Sequence, residues 1–427
     1  MDSALTTSQS DLRVKREHDS RPRDQSLEGV RRPRLLVFAY GCEPGVGSEE
    51  GAGWDLVRAV GEFADCVVLV SPVHSEGLAK WKAEHSASWL TYIAVPEPPF
   101  ASRAKWHRIT RFLIYLLWLR TALKIGRRLH AEHPFDGTYH ATYSVYWLPT
   151  PATSFGVPCV WGPVGGAVTT PLRLWPFLGW LGVIDEILDV VAVRAASWWP
   201  GTRRTWWVAE GPILNNEETL RRMPRSIRDR FYILNHALVA AVPRVEDRPR
   251  ESHLLAVAAL ETRKGLRLLI RAMAHTPVDI RLLIAGDGPE RASLERLARM
   301  LCLSHRVEFL GYVPREKLFE LFARAAAVVF TGLREEGGMA LAEAMLSGAP
   351  VIVLANGGAR TIAESTTDPD RVALIEPAGT QETARRLAEA MFRFSRNPST
   401  STGPTLDPDA ARRTLRGIFE KALASSR

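Results

Sequence analysis

Arg334-Glu335-Glu336-Gly337-Gly338-Met339-Ala340-Leu341-Ala342-Glu343-Ala344-Met345, followed by Ser347-Gly348-Ala349-Pro350-Val351-Ile352-Val353, reads as a glycine-opened loop, a short helix and a buried strand. Gly337 and Gly338 let the backbone approach a ligand closely, and the N–H groups at Met339 and Ala340 open a helix N-terminus, where anions bind. Glu343 follows about one turn later, eight positions after Glu335. A carboxylate beside an anion cradle repels the anion but accepts hydrogen bonds from sugar hydroxyls. Phosphate and sugar recognition side by side point to a nucleotide-sugar. The alternative is a solvated helix start carrying ordinary exposed glutamates.

The Glu-x7-Glu loop, helix and strand resemble the donor-site signature of the retaining glycosyltransferases of family 4, which have the GT-B fold. The resemblance implies an α/β protein of two facing, doubly wound Rossmann-like domains with a cleft between them. It implies that Glu335 contacts the transferred sugar and Glu343 the donor ribose.

Composition fits that size of protein. The 427 residues suffice for two or three domains, each with its own core, and 46% hydrophobic with 24% charged residues is ordinary for a globular chain. A net charge of +8 favours anionic partners such as nucleotide diphosphates or acidic lipid surfaces. Cys42, Cys66, Cys159 and Cys302 are scattered, with no CxxC pair. This argues against a zinc site or a disulfide framework and is consistent with a reducing, cytoplasmic compartment. Residues 1–33 mix both charge signs, contain no apolar signal core and read as a disordered tail. Acidic interleaving and the lack of aromatics argue against a nucleic-acid arm.

Folded structure is expected from Arg34-Leu35-Leu36-Val37-Phe38, a strand that runs into Gly41-Cys42-Glu43-Pro44-Gly45-Val46-Gly47-Ser48-Glu49-Glu50-Gly51-Ala52-Gly53-Trp54 and a helix to about Phe63. Strands at Cys66–Ser71 and Trp89–Val95 continue the alternation that marks a parallel sheet. The glycine loop resembles the first loop of one family 4 subgroup, which implies that Gly45 and Gly47 approach the donor. Tyr139-His140-Ala141-Thr142 and Val160-Trp161-Gly162-Pro163-Val164-Gly165-Gly166-Ala167 follow further strands, at the carboxyl edge where such sheets bind ligands. The resemblance puts His140 near the reacting carbon, where its imidazole orients or deprotonates an acceptor hydroxyl, and puts Gly165 and Gly166 in the acceptor pocket. A lone histidine is otherwise a structural residue.

Trp106–Arg128 is basic and rich in Trp and Leu; Pro171–Val193 is apolar but carries Asp185, Glu186 and Asp189. Neither is an uninterrupted membrane span. The first segment suits either an anionic bilayer interface, through Arg108, Arg111, Arg120, Lys124 and Arg127, or a buried helix with a basic rim.

Residues 34–242 are thus expected to form an acceptor-binding domain, 243–253 a linker, 254–395 the nucleotide-sugar domain, and 396–427 a tail ending in a helix from Pro408 to Leu423. Within the second domain, Leu260-Glu261-Thr262-Arg263-Lys264-Gly265, Gly286-Asp287-Gly288 and Val307–Tyr312, with Gly311, match the family's donor domain in order. Lys264, beside Arg263, is implied to stabilise the leaving diphosphate. The chain departs from the family pattern at Ala259, where an arginine is usual, and at Ala326 and Thr331-Gly332. One lost charge-assisted phosphate contact costs about 1.5–3 kcal/mol unless replaced.

The expectation is a hexosyltransferase-type enzyme (EC 2.4). It moves sugar from a nucleoside-diphosphate-sugar to a glycan or lipid-linked acceptor in surface-glycan or exopolysaccharide synthesis, without metal or other cofactor, in the cytoplasm with peripheral contact on the membrane's inner face. A same-fold epimerase or phosphorylase and a non-catalytic sugar-nucleotide-binding protein are the alternatives.

Overall fold

Short apolar runs alternating with one-faced helical segments build two parallel sheets in the described residues (31–98, 108–240, 242, 249–401 and 403–425) of this computed structural model. The amino-terminal half opens with β1 (Arg34–Phe38), α1 (Ser48–Gly61), β2 (Asp65–Val70), α2 (Pro72–Glu84), β3 (Leu90–Ala94) and α3 (Arg108–Glu132). It continues with β4 (Gly137–His140), β5 (Cys159–Val164), α4 (Gly179–Ser197), α5 (Pro200–Val208), β6 (Gly211–Leu214), α6 (Glu217–Arg222) and β7 (Tyr232–Ile233). The carboxy-terminal half holds β8 (Leu254–Val257), α7 (Leu266–Met273), β9 (Leu282–Ala285), α8 (Arg291–Met300), β10 (Val307–Gly311) and α9 (Arg315–Arg324). After these come β11 (Ala327–Phe330), α10 (Met339–Leu346), β12 (Val351–Leu354), α11 (Gly357–Glu364), β13 (Val372–Ile375), α12 (Thr380–Arg396) and α13 (Pro408–Ala424).

The strand orders are β3-β2-β1-β4-β5-β6-β7 and β10-β9-β8-β11-β12-β13. Both are doubly wound, as expected. In each sheet the order reverses beside the first strand, between β1 and β4 and between β8 and β11. Loops leaving the carboxyl ends of those strand pairs diverge to opposite faces and open a crevice. The apolar side chains of β8, β11 and β12 are buried because helices cover both sheet faces.

Two segments cross the expected domain boundary. Leu174, Phe177 and Leu178, from the first half, pack into the core of the second with Leu254, Leu269 and Leu387. In return, Leu415, Ile418 and Phe419 of α13 join Leu35, Tyr139 and Val160 in the core of the first. Apolar patterning marks such residues as buried without saying which sheet receives them. Most of the tail (1–30), most of the linker (243–248) and Trp106 lie outside the described residues.

Helix α3 is a core helix with a basic rim. Ile114, Tyr115, Trp118, Leu119 and Ala122 are buried, while Arg111, Arg120, Lys124 and Arg127 face outward. Its apolar side is committed to the core, which selects the second of the two readings the sequence left open, a buried helix with a basic rim. The large exposed hydrophobic side chains concentrate instead between Leu172 and Val208, with Trp180, Leu188, Val191, Trp198, Trp199 and Trp207 among them. No described helix is long and apolar enough to cross a membrane.

Candidate functional site

At the second switch point, the loop after β8 lies against the loop after β11. Gly265 has a positive φ of 68°, and a Cβ there would stand 2.0 Å from the Thr331 carbonyl, so only glycine lets the two loops touch. The Leu333 N–H donates to the Arg263 carbonyl at 2.8 Å and locks the contact. Lys264 is thereby brought to Glu335, with Nζ donating to Oε2 at 2.5 Å. The other oxygen of Glu335 accepts the Gly338 N–H at 3.2 Å. Gly338 takes the left-handed conformation as the N-cap of α10. The N–H groups of Met339 and Ala340 at the start of that helix have no intrahelical acceptor. An ammonium, a helix N-terminus and a carboxylate therefore converge at this switch point.

Glu343 is buried (5% exposed). Its Oε1 accepts two hydrogen bonds from Arg315, from Nε at 2.9 Å and from a terminal nitrogen at 2.7 Å. Its Oε2 has no partner among the described residues. Arg315, at the start of α9, is a cation that the sequence did not single out, because nothing in the chain pattern pairs α9 with α10.

Arg263 does not join Lys264. Its side chain is half exposed and its Nε donates to Glu261 at 2.6 Å. Ala259 is exposed. Gly311 has a positive φ of 72° at a β-bulge against β9 and sits beside the Arg291 guanidinium.

Glu336 turns away from its neighbour and reaches the first half. Its Oε1 accepts the Val168 N–H at 2.8 Å and its Oε2 accepts from Asn216 Nδ2 at 3.1 Å. Burial raises its pKa against these hydrogen bonds. Asn235 Nδ2 donates to the Glu336 carbonyl at 3.2 Å. A Cβ on Gly165 would stand 2.9 Å from Glu336 Oε2, so the Gly165-Gly166 segment is small to admit this bridge. His236 covers Gly337, where a Cβ would lie 2.5 Å from the imidazole Nε2. Burial depresses the His236 pKa to about 4 despite the Glu335 carboxylate, which keeps the ring neutral near pH 7. Glu336 and His236 were not anticipated. The one signal for Glu336 was its place beside Glu335 on an extended loop, where successive side chains point to opposite sides.

The first switch point is acidic and aromatic. Glu49 Oε1 accepts the Tyr143 N–H at 2.7 Å, and Glu50 Oε1 accepts the Tyr143 hydroxyl at 2.9 Å. Burial pushes the Glu49 carboxyl up to about 7, with the Glu50 and Glu336 charges adding to the rise. Tyr40 meets Tyr115, Trp118 and Tyr143 edge-on. Gly45 and Gly47 are exposed with open space around them. The crowded glycines are Gly51 and Gly53, where a Cβ would lie 2.0 and 2.1 Å from the Val46 and Gly41 carbonyls, so they serve the packing of α1 under its own loop.

His140 ends β4 but is 2% exposed. Its Nδ1 pairs with the Thr150 hydroxyl at 2.7 Å and its Nε2 with the Tyr115 hydroxyl at 3.1 Å. Burial lowers its pKa to about 4. With both nitrogens engaged inside the protein, His140 ties α3 to the sheet. Among the described residues no group of His, Cys, Asp or Glu side chains is arranged to hold a metal.

Residues 243–393, about a third of the chain, match the family model described as Glycosyl transferases group 1. The chain is 39% identical over 110 residues to an uncharacterized glycosyltransferase of Methanocaldococcus jannaschii, a stretch that covers 25% of this chain and 28% of that relative. The chain thus spans little more than a quarter of that relative's length. Likeness in fold extends much further. Sucrose-phosphate synthase from Thermosynechococcus elongatus is 18% identical and aligns over 92% of this chain and 100% of its own with a TM-score of 0.55. The Anabaena protein HepE in complex with UDP-glucose is 15% identical and aligns over 91% of this chain and 100% of its own with a TM-score of 0.50. With two doubly wound sheets meeting through Glu336, the fold is GT-B.

Proposed function

We propose that this protein transfers a sugar from a nucleoside-diphosphate-sugar to a glycan or lipid-linked acceptor, with retention at the anomeric carbon, in surface-glycan synthesis. The observation that carries the reading is the convergence of Lys264, Glu335 and the N-terminus of α10 at the second switch point. Lys264 and the amides of Met339 and Ala340 stabilise charge building on the leaving diphosphate. Glu335, now held by Lys264 and Gly338, shares that lysine with the phosphates and accepts from sugar hydroxyls. Glu343 offers its unpaired Oε2 to the donor ribose while Arg315 fixes the carboxylate. The group 1 match over this half and the UDP-glucose bound by the HepE protein support a nucleotide-sugar donor. No metal is required, because a lysine and a helix terminus supply the positive charge. The acceptor lies on the Gly165-Gly166 side, brought to the donor by Glu336.

The exposed face of α4 and α5 supports peripheral seating on an anionic membrane. Tryptophans there sit beside Arg203 and Arg204, and the Arg203 guanidinium lies 4.6 Å over the Trp198 ring. Amphipathic rings with cations suit the headgroup level.

Ala259 favours a second reading, a non-catalytic sugar-nucleotide binder, because this exposed position supplies no cation. A panel of UDP-, GDP- and ADP-sugars in a thermal-shift screen, then labelled donor with acceptor extracts, with and without EDTA, separates the readings. Stabilisation with EDTA-resistant transfer or hydrolysis is expected. Stabilisation without turnover selects the binder. No stabilisation by any nucleotide sugar overturns both.

A further inference from the structure

A shallow groove opens beside the donor loop, lined among others by Tyr146, Gly166, Val193, Arg194, Arg222 and Arg334. Five elements that are distant in sequence build it: the loop after β4, the loop after β5, one face of α4, the end of α6 and the loop after β11. Val190 and Val193 with Ala167 and Val168 make an apolar wall. Arg334, next in sequence to Glu335, is already neutralised: it donates to Asp189 at 3.0 Å and lies 3.6 Å from the buried carboxylate of Glu186. Glu186 is held in turn by the Thr170 N–H at 2.8 Å.

Arg194 and Arg222 differ from Arg334. Neither has a carboxylate partner or a side-chain hydrogen bond among the described residues, and both act electrostatically on the Tyr146 hydroxyl. Tyr146 is 3% exposed and lines the groove, yet its hydroxyl has no hydrogen-bond partner among the described residues. Two unneutralised guanidinium groups and a phenol hydroxyl that opens from a buried ring onto an apolar-walled groove match an oxyanion carried on an aliphatic or glycosyl body.

We infer that this groove is the acceptor's anion subsite, in which Arg194, Arg222 and the Tyr146 hydroxyl bind a phosphate group carried by the acceptor. The inference rests on the proposed transfer reaction and names its acceptor class. Arg334, adjacent to Glu335, joins this subsite to the donor carboxylate, so a phosphorylated acceptor held here has its hydroxyls directed toward the sugar. The phosphate belongs either to a lipid headgroup, reached from the apolar face of α4, or to a soluble phosphorylated sugar.

The test is calorimetric titration of inorganic pyrophosphate into the full chain with UDP in excess, so that the donor cradle is occupied. Wild type, Arg194→Gln, Arg222→Gln and Tyr146→Phe are compared with Arg203→Gln, which removes an equal charge from α5 outside the groove. Each groove arginine variant should bind pyrophosphate on the order of tenfold more weakly, Tyr146→Phe less so, and Arg203→Gln like wild type. Equal affinities throughout, or no binding by wild type, overturn the inference. Phosphatidylcholine vesicles with and without phosphatidic acid, and glycerol 3-phosphate as competitor, separate the sources. Phosphatidic acid-dependent binding that glycerol 3-phosphate does not displace, lost in the groove variants, assigns a lipid phosphate; displacement assigns a soluble one. Stabilisation by UDP-sugars is scored separately. Its absence removes the transfer reading, while the variant contrast on pyrophosphate still stands or falls by itself.

Discussion

The two halves place opposite chemistry at the same point of the same topology. In the second half, the switch-point loops bring Lys264 and the start of α10 together, and each carboxylate has a cation: Glu335 has Lys264, and Glu343 has Arg315. In the first half, Glu49 and Glu50 lie among Tyr40, Tyr115 and Tyr143, with no lysine or arginine among the described residues hydrogen-bonded to them, and burial holds Glu49 largely protonated below about pH 7. A shared doubly wound order fixes where ligands go, and the loop residues fix which ligand. In the proposed reaction the second half meets the anion that leaves, while the first takes the acceptor's hydroxyl groups, with Arg194 and Arg222 supplying charge for its phosphate.

The largest break in this contrast is Lys264→Met. If Lys264 meets the leaving diphosphate as proposed, removing it should lower the transfer rate by about 10²–10³-fold, with a smaller fall in the thermal midpoint, because Glu335 is left largely buried without its cation. Rates with labelled donor check it. Loss of less than about tenfold in rate would show that the α10 amides alone hold the phosphates.

Glu343→Ala comes next. Without the carboxylate, the ribose contact is lost and Arg315 is left without its partner, so donor affinity should fall by roughly 1.5–3 kcal/mol, or about ten- to hundredfold. Glu343→Gln keeps an acceptor oxygen and should recover part of it. Calorimetry with the best donor of the panel reads both, and unchanged affinity in the alanine variant would move the ribose elsewhere.

How much of this was legible follows the same division. Strands β11 and β12 fall on the runs expected at Ala327–Phe330 and Val351–Leu354, since dense, short apolar runs between helices have few alternatives. Local signals also picked out Lys264, Glu335, Gly338 and Glu343, which one pair of facing loops brings together. Glu336 and His236 stayed hidden because their partners lie about a hundred residues or more away, and no local pattern encodes such pairings. Among the glycines of the first loop, Gly51 and Gly53 answer to carbonyls of their own loop, while Gly45 and Gly47, the two expected to approach the donor, stand exposed in open space. His140 was legible from its position at a strand end, whereas its partners Tyr115 and Thr150 come from other elements and no local pattern pairs them with it.

The next test concerns charge in the second half. Ala259 is exposed at the β8 loop, and Arg263 is occupied by Glu261. Ala259→Arg should tighten UDP binding by up to about tenfold, whereas Arg263→Ala should change it by less than about twofold, as for other exposed pairs. If Arg263→Ala weakens binding as strongly as Lys264→Met, Arg263 leaves Glu261 for the phosphates and the second half is more cationic than its resting pairs suggest.

The smallest effect concerns the first half, where a carboxyl is kept neutral by burial. Glu49 titrates near 7 in the folded protein and near 4.5 when unfolded. Between those values the native state retains a proton that the unfolded chain has released, so this group's contribution to stability is complete below about pH 4.5 and is lost as pH rises through 7. Glu49→Gln cannot ionise, and its side-chain oxygen still accepts the Tyr143 N–H. The thermal midpoint of the variant, relative to wild type, should therefore rise from pH 5 to about pH 7 and level off by pH 8. His140 and His236, both depressed to about 4, act in the opposite sense: their contribution is present above about 6.5 and lost as pH falls through 4. They are common to both proteins and cancel in the difference. A difference that stays flat across this range would mean that Glu49 is ionised in the native state. The first switch point would then carry two charged carboxylates, and its contrast with the second half would lie in missing cations rather than in a neutral acid.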